Sequence, residues 1–322
     1  MPLTKPAALK QGDTIGVVVP AGPLNRERID RAFERVQARG YRLKTYGDIY
    51  RKQGYLAGDD ATRAEELMAA FADPETSAVW CGRGGYGVMR MLHLLDFDVI
   101  RRNPKIFVGF SDITALHISI QKHCNLITFH GPNLQDGFGK PDDMPAATET
   151  ALWRLLHAEQ QSNNAGNDQY DLSKVEDLAL ETIHGGVAAG PVTGGNLAML
   201  NSTMGTPAEV ETAARVLFLE DVSERLYRID RYLTQLRLAG KFESVAGVLL
   251  GTFSFDEGDQ ADSEAEISAF LAEFFANLGV PVLSGFPSGH ERYNLTLPMG
   301  GQIKLDADNQ QVTLLENCVA TA

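Results

Sequence analysis

Short apolar runs alternate along the first half of the chain with longer stretches whose apolar residues recur at helical spacing, the signature of strands alternating with amphipathic helices. Thr14 to Val19 reads as a first strand, closed by the turn Pro20-Ala21-Gly22-Pro23. Asn25 then caps a helix with Ile29, Ala32, Phe33 and Val36 on one face, ending at Gly40. Tyr41 to Tyr46 predicts a second strand, and Asp59 or Asp60 opens a helix carrying Leu67, Met68 and Phe71. A strand at Ala78 to Cys81, the glycine loop GRGGYG, a helix around Val88 to Leu95 and a buried strand at Ile106 to Val108 follow. Leu126 to Phe129 predicts another strand, running into His130-Gly131-Pro132, and Ala146 to His157 a helix. The reading is an α/β, parallel-sheet, flavodoxin-like domain over residues 1–157, covered by helices on both faces.

Residues 158–177, beginning AEQQSNNAGNDQYD, are polar and read as a linker. Residues 178–322 read as a smaller, strand-rich, mixed α/β domain with more antiparallel character. Its glycine stretch HGGVAAGPVTGGN, His184 to Asn196, suggests tight backbone turns against a surface or ligand. A strand at Arg215 to Leu219 leads into Glu220-Asp221 and then a helix from about Glu224 to Ala239. Val245 to Leu250, Gln302 to Leu305 and Val312 to Leu315 read as strands, and Glu264 to Leu278 as a helix.

Charge and composition remove several classes. A net charge of −13 with no Lys/Arg cluster argues against nucleic acid as a partner. The start MPLTKPAALKQGD lacks the apolar stretch of a signal peptide and no long apolar run follows, so the expectation is a cytoplasmic protein without a membrane partner. Three widely separated cysteines and the lack of an H-E-x-x-H or similar spacing predict neither a disulfide framework nor a metal, and no cofactor is expected.

The segment KIFVGFSDITAL places a hydroxyl, Ser111, between the end of a strand and the start of a helix. Ligands sit in such crevices of open α/β sheets, and a serine there serves either as helix cap or as nucleophile. Cys81, also at a strand end, is a competing nucleophile or a small buried hydrophobe. Gly82, Gly84 and Gly87 match G-x-G-x-x-G between a strand and a helix, a possible nucleotide cradle with Asp112 as a displaced ribose-binding acid. Alternatively, the N–H of Gly84 or Gly85 completes an oxyanion hole beside Ser111. A serine nucleophile needs a base and an orienting acid. His130, at a strand end, and His184 and His290, in glycine-containing loops, are the candidates, and Glu220 or Asp221 closes an apolar strand where an acid would be useful.

Taken together, VVVPAGP, CGRGGYG, VGFSDITAL, FHGPN, GGNLAML, LFLEDVSE and GHERYNLTLPMG resemble, in this order, the L,D-carboxypeptidase family of serine peptidases. The family includes muramoyl-tetrapeptide carboxypeptidases and microcin C immunity-type hydrolases. The resemblance implies Ser111 as nucleophile, His290 as general base and Glu220 as its orienting acid, completed across the junction of the two domains. It implies the backbone N–H groups of Asp112 and of the Gly84-Gly85 turn as the oxyanion hole. His130 and Asn196 become walls or scaffold of the substrate site, and Arg83 and Arg292 candidates for binding a substrate carboxylate. The implied reaction releases D-alanine from a small murein tetrapeptide by a homodimeric enzyme; hydrolysis of a peptidyl-nucleotide toxin is the alternative. One departure is Glu291-Arg292-Tyr293 after His290, where many relatives have a small or proline-rich stretch.

Overall fold

A computed structural model of the chain describes residues 3–158, 170–173, 180–254 and 263–320. The chain divides into two compact units, Met1–Gln160 with Thr296–Met299 and Cys318–Ala322, and Gln161–Leu295 with Gly300–Asn317. Among the described residues no helix is long and apolar enough to cross a membrane.

The first unit holds strands β1 (Thr14–Val18), β2 (Arg42–Thr45), β3 (Ala78–Cys81), β4 (Ile106–Gly109) and β5 (Thr128–His130). They pair in parallel in the order β2-β1-β3-β4-β5, the flavodoxin-like order. Every residue of β1, β3 and β4 is buried, whereas β2 at the edge is not, which is why the central strands read as unbroken apolar runs. Leu297–Met299 returns to this sheet antiparallel to β5, with Leu297 opposite His130.

Helices α1 (Arg26–Ala38) and α2 (Asp60–Ala72) begin where the capping residues predict. Asn25 accepts from the Arg28 N–H and Asp59 from the Thr62 N–H. The helix expected over Val88 to Leu95 is only α3 (Val88–Met91), continued as a 3-10 turn. A further helix that the pattern does not reveal, α4 (Phe97–Arg102), precedes β4 and is capped by Asp96. After β4 come a 3-10 turn over Ser111–Ile113 and α5 (Thr114–Cys124), and α6 is Ala146–Leu156.

Of the expected linker, residues 159–169 and 174–177 lie outside the described residues. Tyr170–Asp171 within it is a short strand. The second unit contains β6 (Glu181–His184), β7 (Val187–Asn196), β8 (Val216–Val222), β9 (Gly247–Ser254) and β10 (Val282–Ser284). Its helices are α7 (Leu197–Ser202), α8 (Leu226–Leu238) and α9 (Glu264–Phe275). Strands β7, β8, β9 and β10 pair in parallel, and β6 joins β10 antiparallel. The centre of this unit is therefore parallel, because α8 and α9 supply the crossovers that parallel neighbours require. Antiparallel pairing is confined to its flanks, where β11 (Gln302–Asp306) and β12 (Gln311–Leu314) pair with each other and β11 with the first half of β7.

The glycine-rich stretch expected to turn is thus mostly a ten-residue strand. Its glycines serve close approach: a Cβ on Gly194 would lie 2.0 Å from the Phe218 carbonyl oxygen of β8.

His117 of α5 is buried, and its ring joins two strands of the first sheet. Nε2 donates to the Gly109 carbonyl and Nδ1 accepts from the Thr128 hydroxyl, both at 2.8 Å. That pairing selects the neutral tautomer with the proton on Nε2, and burial pushes the pKa down to about 4. A folded-state pKa below the unfolded value stabilises the protein above the unfolded pKa, and the contribution is lost as pH falls toward 4. A chemical-denaturation series should therefore show His117 costing about 3 kcal/mol of stability between pH 6.5 and 4. His117→Gln should flatten that slope; an equally steep acid loss in the variant would assign the effect to other groups.

Candidate active site

The first unit supplies a half-buried serine on a strained turn. Ser111 stands two residues beyond the buried end of β4, after Phe110, and has φ 68°, the left-handed region that a residue with a Cβ avoids. The capping reading is corrected by this backbone. A cap residue is extended, and here the extended residue ahead of the turn is Phe110, with no side chain capping either Ser111–Ile113 or α5. Ser111 is instead the first residue of the turn, half-buried, as a nucleophile held on a sharp strand-to-helix bend would be.

Three loops at the carboxyl ends of β1, β3 and β4 meet here. The Gly22 N–H donates to the Gly84 carbonyl at 3.0 Å, joining the turn after β1 to the glycine loop after β3. Gly84 lies against the serine, and a Cβ on it would be 2.9 Å from Ser111 Cβ and 3.2 Å from Oγ. Asp112 turns away from solvent, and its carboxylate accepts from the Val88 N–H at 2.8 Å. Burial raises its pKa to about 6, against the opposing effects of that bond, Arg63 and the Gly87 N–H.

This arrangement answers the nucleotide reading of GRGGYG. The helix after the loop has four residues, and its first N–H already meets the protein's own carboxylate. Asp112, buried and engaged there, is not a ribose ligand. Cys81 is also set aside: burial first, and then the nearby Asp112, raise its thiol pKa, which keeps it protonated and unreactive.

The second unit brings together a carboxylate and an imidazole. Glu220 is fully buried near the end of β8, and His290 Nδ1 donates to its Oε2 at 2.8 Å. The histidine stands on a loop whose base is closed by the Leu295 N–H donating to the Pro287 carbonyl at 2.8 Å. Asn294 Oδ1 accepts from Ser288 Oγ at 3.2 Å, and the Thr252 N–H of β9 donates to the Ser288 carbonyl at 3.0 Å. Gly289, with φ 143°, allows the loop to lie directly on the acid, since a Cβ there would be 3.1 Å from Glu220 Oε2 and 2.3 Å from Thr252 Oγ1. Thr252 carries no sequence signal that would single it out for this supporting role.

Asp221 points to the other side of β8, as strand alternation requires. It accepts from Asn196 Nδ2 at 2.8 Å and from the N–H groups of Ala198 and Val222, each at 2.9 Å. Burial, with Glu220 next to it, raises its pKa to about 7 despite those donors. Asn196 also caps α7 by accepting from the Met199 N–H, so both ends of its amide are committed and it serves as scaffold.

The remaining candidates are scattered. His130 is buried on β5, its ring 6.1 Å from those of Phe110 and His117, a packing group beneath the Ser111 turn. His184 is half-buried at the end of β6, and its Nδ1 lies 3.0 Å from the Gly185 carbonyl. Arg83 donates to the Pro23 carbonyl at 3.0 Å. Arg292 is exposed, its guanidinium 5.8 Å from the Tyr293 ring, and lines a cavity of about 300 Å³ with Glu264, Ser268 and Tyr293. Among the described residues no group of three or more His, Cys, Asp or Glu is arranged to hold a metal.

Comparison with known proteins covers both units. Residues 15–131 match the family model of the LD-carboxypeptidase N-terminal domain, and residues 189–305 that of the LD-carboxypeptidase C-terminal domain. The "Probable murein peptide carboxypeptidase" of Bacillus subtilis (strain 168) is 36% identical over 303 residues, spanning 94% of this chain and 91% of that protein. The solved structure of the microcin C7 self-immunity protein in complex with aspartyl sulfamoyl adenosine superposes with a TM-score of 0.87 at 28% identity, covering 98% of this chain and 100% of that one. The muramoyltetrapeptide carboxypeptidase of Oxalobacter formigenes superposes with a TM-score of 0.78 at 29% identity, covering 94% and 97%.

The contact between Gly84 and Ser111 makes a specific expectation. Gly84 is not in the left-handed region, so Gly84→Ala leaves the backbone allowed and adds only a methyl group against the hydroxyl. The methyl group would meet Ser111 Cβ at 2.9 Å and the Phe110 carbonyl oxygen at 3.1 Å, so the turn must shift. Labelling of Ser111 by a fluorophosphonate should slow by roughly a hundred-fold, the scale of a misplacement of about 1 Å, and the thermal midpoint should fall. Labelling at the wild-type rate would show that the loop is not held against Ser111.

Proposed function

Because this chain belongs to the LD-carboxypeptidase family and is a serine-type carboxypeptidase, we propose that Ser111, His290 and Glu220 form its catalytic triad. Its substrate is a murein tetrapeptide, from which it releases D-alanine after an L-centre diamino acid. The observation that carries this reading is the His290–Glu220 pair. A fully buried carboxylate on Nδ1 fixes the tautomer and orientation of an imidazole whose Nε2 then handles the proton.

In the proposed sequence, Ser111 Oγ attacks the carbonyl carbon of the terminal peptide bond while His290 Nε2 takes the hydroxyl proton. The N–H groups of Asp112 and of the Gly84-Gly85 turn hold the oxyanion. Collapse breaks the C–N bond, His290 returns the proton to the leaving amine, and D-alanine departs. Water then attacks the acyl-enzyme with His290 again as base, freeing the shortened peptide and Ser111. The first unit carries the nucleophile and the second the acid and base. We place the enzyme in the cytoplasm as a homodimer, acting in cell-wall recycling, with no metal or nucleic acid needed for this chemistry.

A second reading is hydrolysis of a peptidyl-nucleotide, favoured by the higher TM-score to the microcin C7 self-immunity protein. The greater sequence identity is to the protein named as a murein peptide carboxypeptidase, which favours the first. Mass spectrometry of products from a murein tetrapeptide and from aspartyl sulfamoyl adenosine decides between them. Wild type should release D-alanine, and Ser111→Ala and His290→Ala should lower that rate by at least about a thousand-fold while staying folded. D-alanine release by Ser111→Ala at the wild-type rate would defeat the nucleophile assignment, and turnover of the sulfamoyl adenosine alone would select the second reading.

A further inference from the structure

One peptide unit of the glycine loop is gripped at both of its polar atoms by buried charged side chains. The Gly87 carbonyl accepts from Arg63 Nη1 at 3.0 Å, and the N–H of the same peptide, that of Val88, donates to Asp112 Oδ2 at 2.8 Å. Arg63 is 1% and Asp112 2% exposed. Arg63 reaches this point from α2 and ties further segments, donating to the Pro20 carbonyl after β1, to the Gly58 carbonyl at 3.2 Å, and to Asp60.

We propose that Asp112 and Arg63 are positioning residues for the oxyanion hole, a two-sided clamp on the Gly87–Val88 peptide that holds Gly84 and Gly85 in place beside Ser111. The inference rests on the assignment of those N–H groups above and adds to it a role for the side chain of Asp112. The first half of the loop is tied by the Gln135 N–H on the Gly82 carbonyl, the Gly22 N–H on the Gly84 carbonyl and Arg83 on the Pro23 carbonyl, and the clamp is what holds its second half. Its glycines restrict the backbone least of all residues, Tyr86 is 52% exposed, and α3 is too short to anchor it through packing alone.

Two buried charges of opposite sign set on one peptide are a demanding construction, because each loses its hydration and needs its partner's hydrogen bonds to remain charged. The geometry also explains why the residue after Ser111 is acidic. With its backbone N–H assigned to the oxyanion as above, its side chain reaches the first N–H of α3, so one residue braces both walls of the hole. The other titratable group facing Asp112 is Cys81 on β3, kept as a neutral thiol, so it neither competes for Arg63 nor repels the carboxylate.

The test uses the full chain, tetrapeptide kinetics and hydrogen exchange followed by mass spectrometry. Asp112→Ala should lower kcat for D-alanine release by roughly thirty- to a hundred-fold with KM within about two-fold, since the hole acts in the transition state. It should also speed exchange in the peptide covering residues 82–88 and leave β1 and β3 unchanged. Asp112→Asn, whose carboxamide oxygen can accept the same N–H, should recover most of the loss, to within about five-fold of wild type. Arg63→Lys, with one amine for three carbonyls, should lower kcat in the same KM-neutral way. If Asp112→Ala does not fold, Asp112→Asn and Arg63→Lys decide the matter through the same two readouts.

The clamp is overturned if Asp112→Ala keeps kcat within three-fold, if Asp112→Asn loses as much as Asp112→Ala, or if exchange of residues 82–88 is unmoved. Should Ser111→Ala in the same assay retain D-alanine release, the nucleophile assignment fails instead. The exchange measurement then still decides whether the clamp exists.

Discussion

A serine held at φ 68° costs about 1 kcal/mol or more relative to a relaxed backbone, and the first unit is built so that Ser111 has no easier alternative. The Gly109 carbonyl just before the turn is taken by His117, the Phe110 N–H by Asn133 Oδ1 at 3.3 Å, and the Asp112 carboxylate by Val88. These bonds reach α5, the loop after β5 and the start of α3, so the turn cannot relax without breaking contacts with all three. The strain is thus maintained by the sheet, and it keeps the hydroxyl clear of the helix start instead of folded onto it as a cap.

The second unit solves a different problem, that of keeping a carboxylate inside a protein. Glu220 has no exposure and faces an imidazole, while Asp221 beside it faces three donors. Strand alternation separates two adjacent acids that would otherwise repel at close range, and each is given its own partners. The loop bearing His290 is closed on itself and tied to β9 through Thr252 and Ser288. The acid therefore meets an imidazole whose position is set by backbone hydrogen bonds, with no reliance on a flexible tail.

Much of the architecture is legible along the chain because it follows from local rules. Asn25 and Asp59 cap the helices they precede, and the unbroken apolar runs at β1, β3 and β4 are buried on both faces. The reading falters where composition and pairing conflict. Val187–Asn196 is rich in glycine and reads as turns, yet it forms a strand between β8 and β11, and its Gly190 and Gly194 lie so close to the Ala214 and Phe218 carbonyl oxygens that a Cβ at either would collide. Leu297–Met299 has only three residues and belongs to a sheet begun far earlier in the chain, a pairing that no local period announces. Helix α4 is short and follows a 3-10 turn, so it leaves too little periodicity to detect.

The amino-acid sequence by itself determined the alternation of elements, the candidate serine, and the acid at the end of its strand. Its assembled motifs singled out His290 among histidines that spacing alone left open. Only tertiary structure decided that Ser111 is not a cap, that Asp112 closes the start of α3 so that the glycine loop offers no open phosphate cradle there, and that Asn196 is scaffold. The physical reason is range. Propensity, capping and periodicity act over a few residues and can be read in order. A left-handed serine, a buried carboxylate and a gripped peptide bond depend on hydrogen bonds between residues 24 to 70 positions apart, which exist only once the strands have paired.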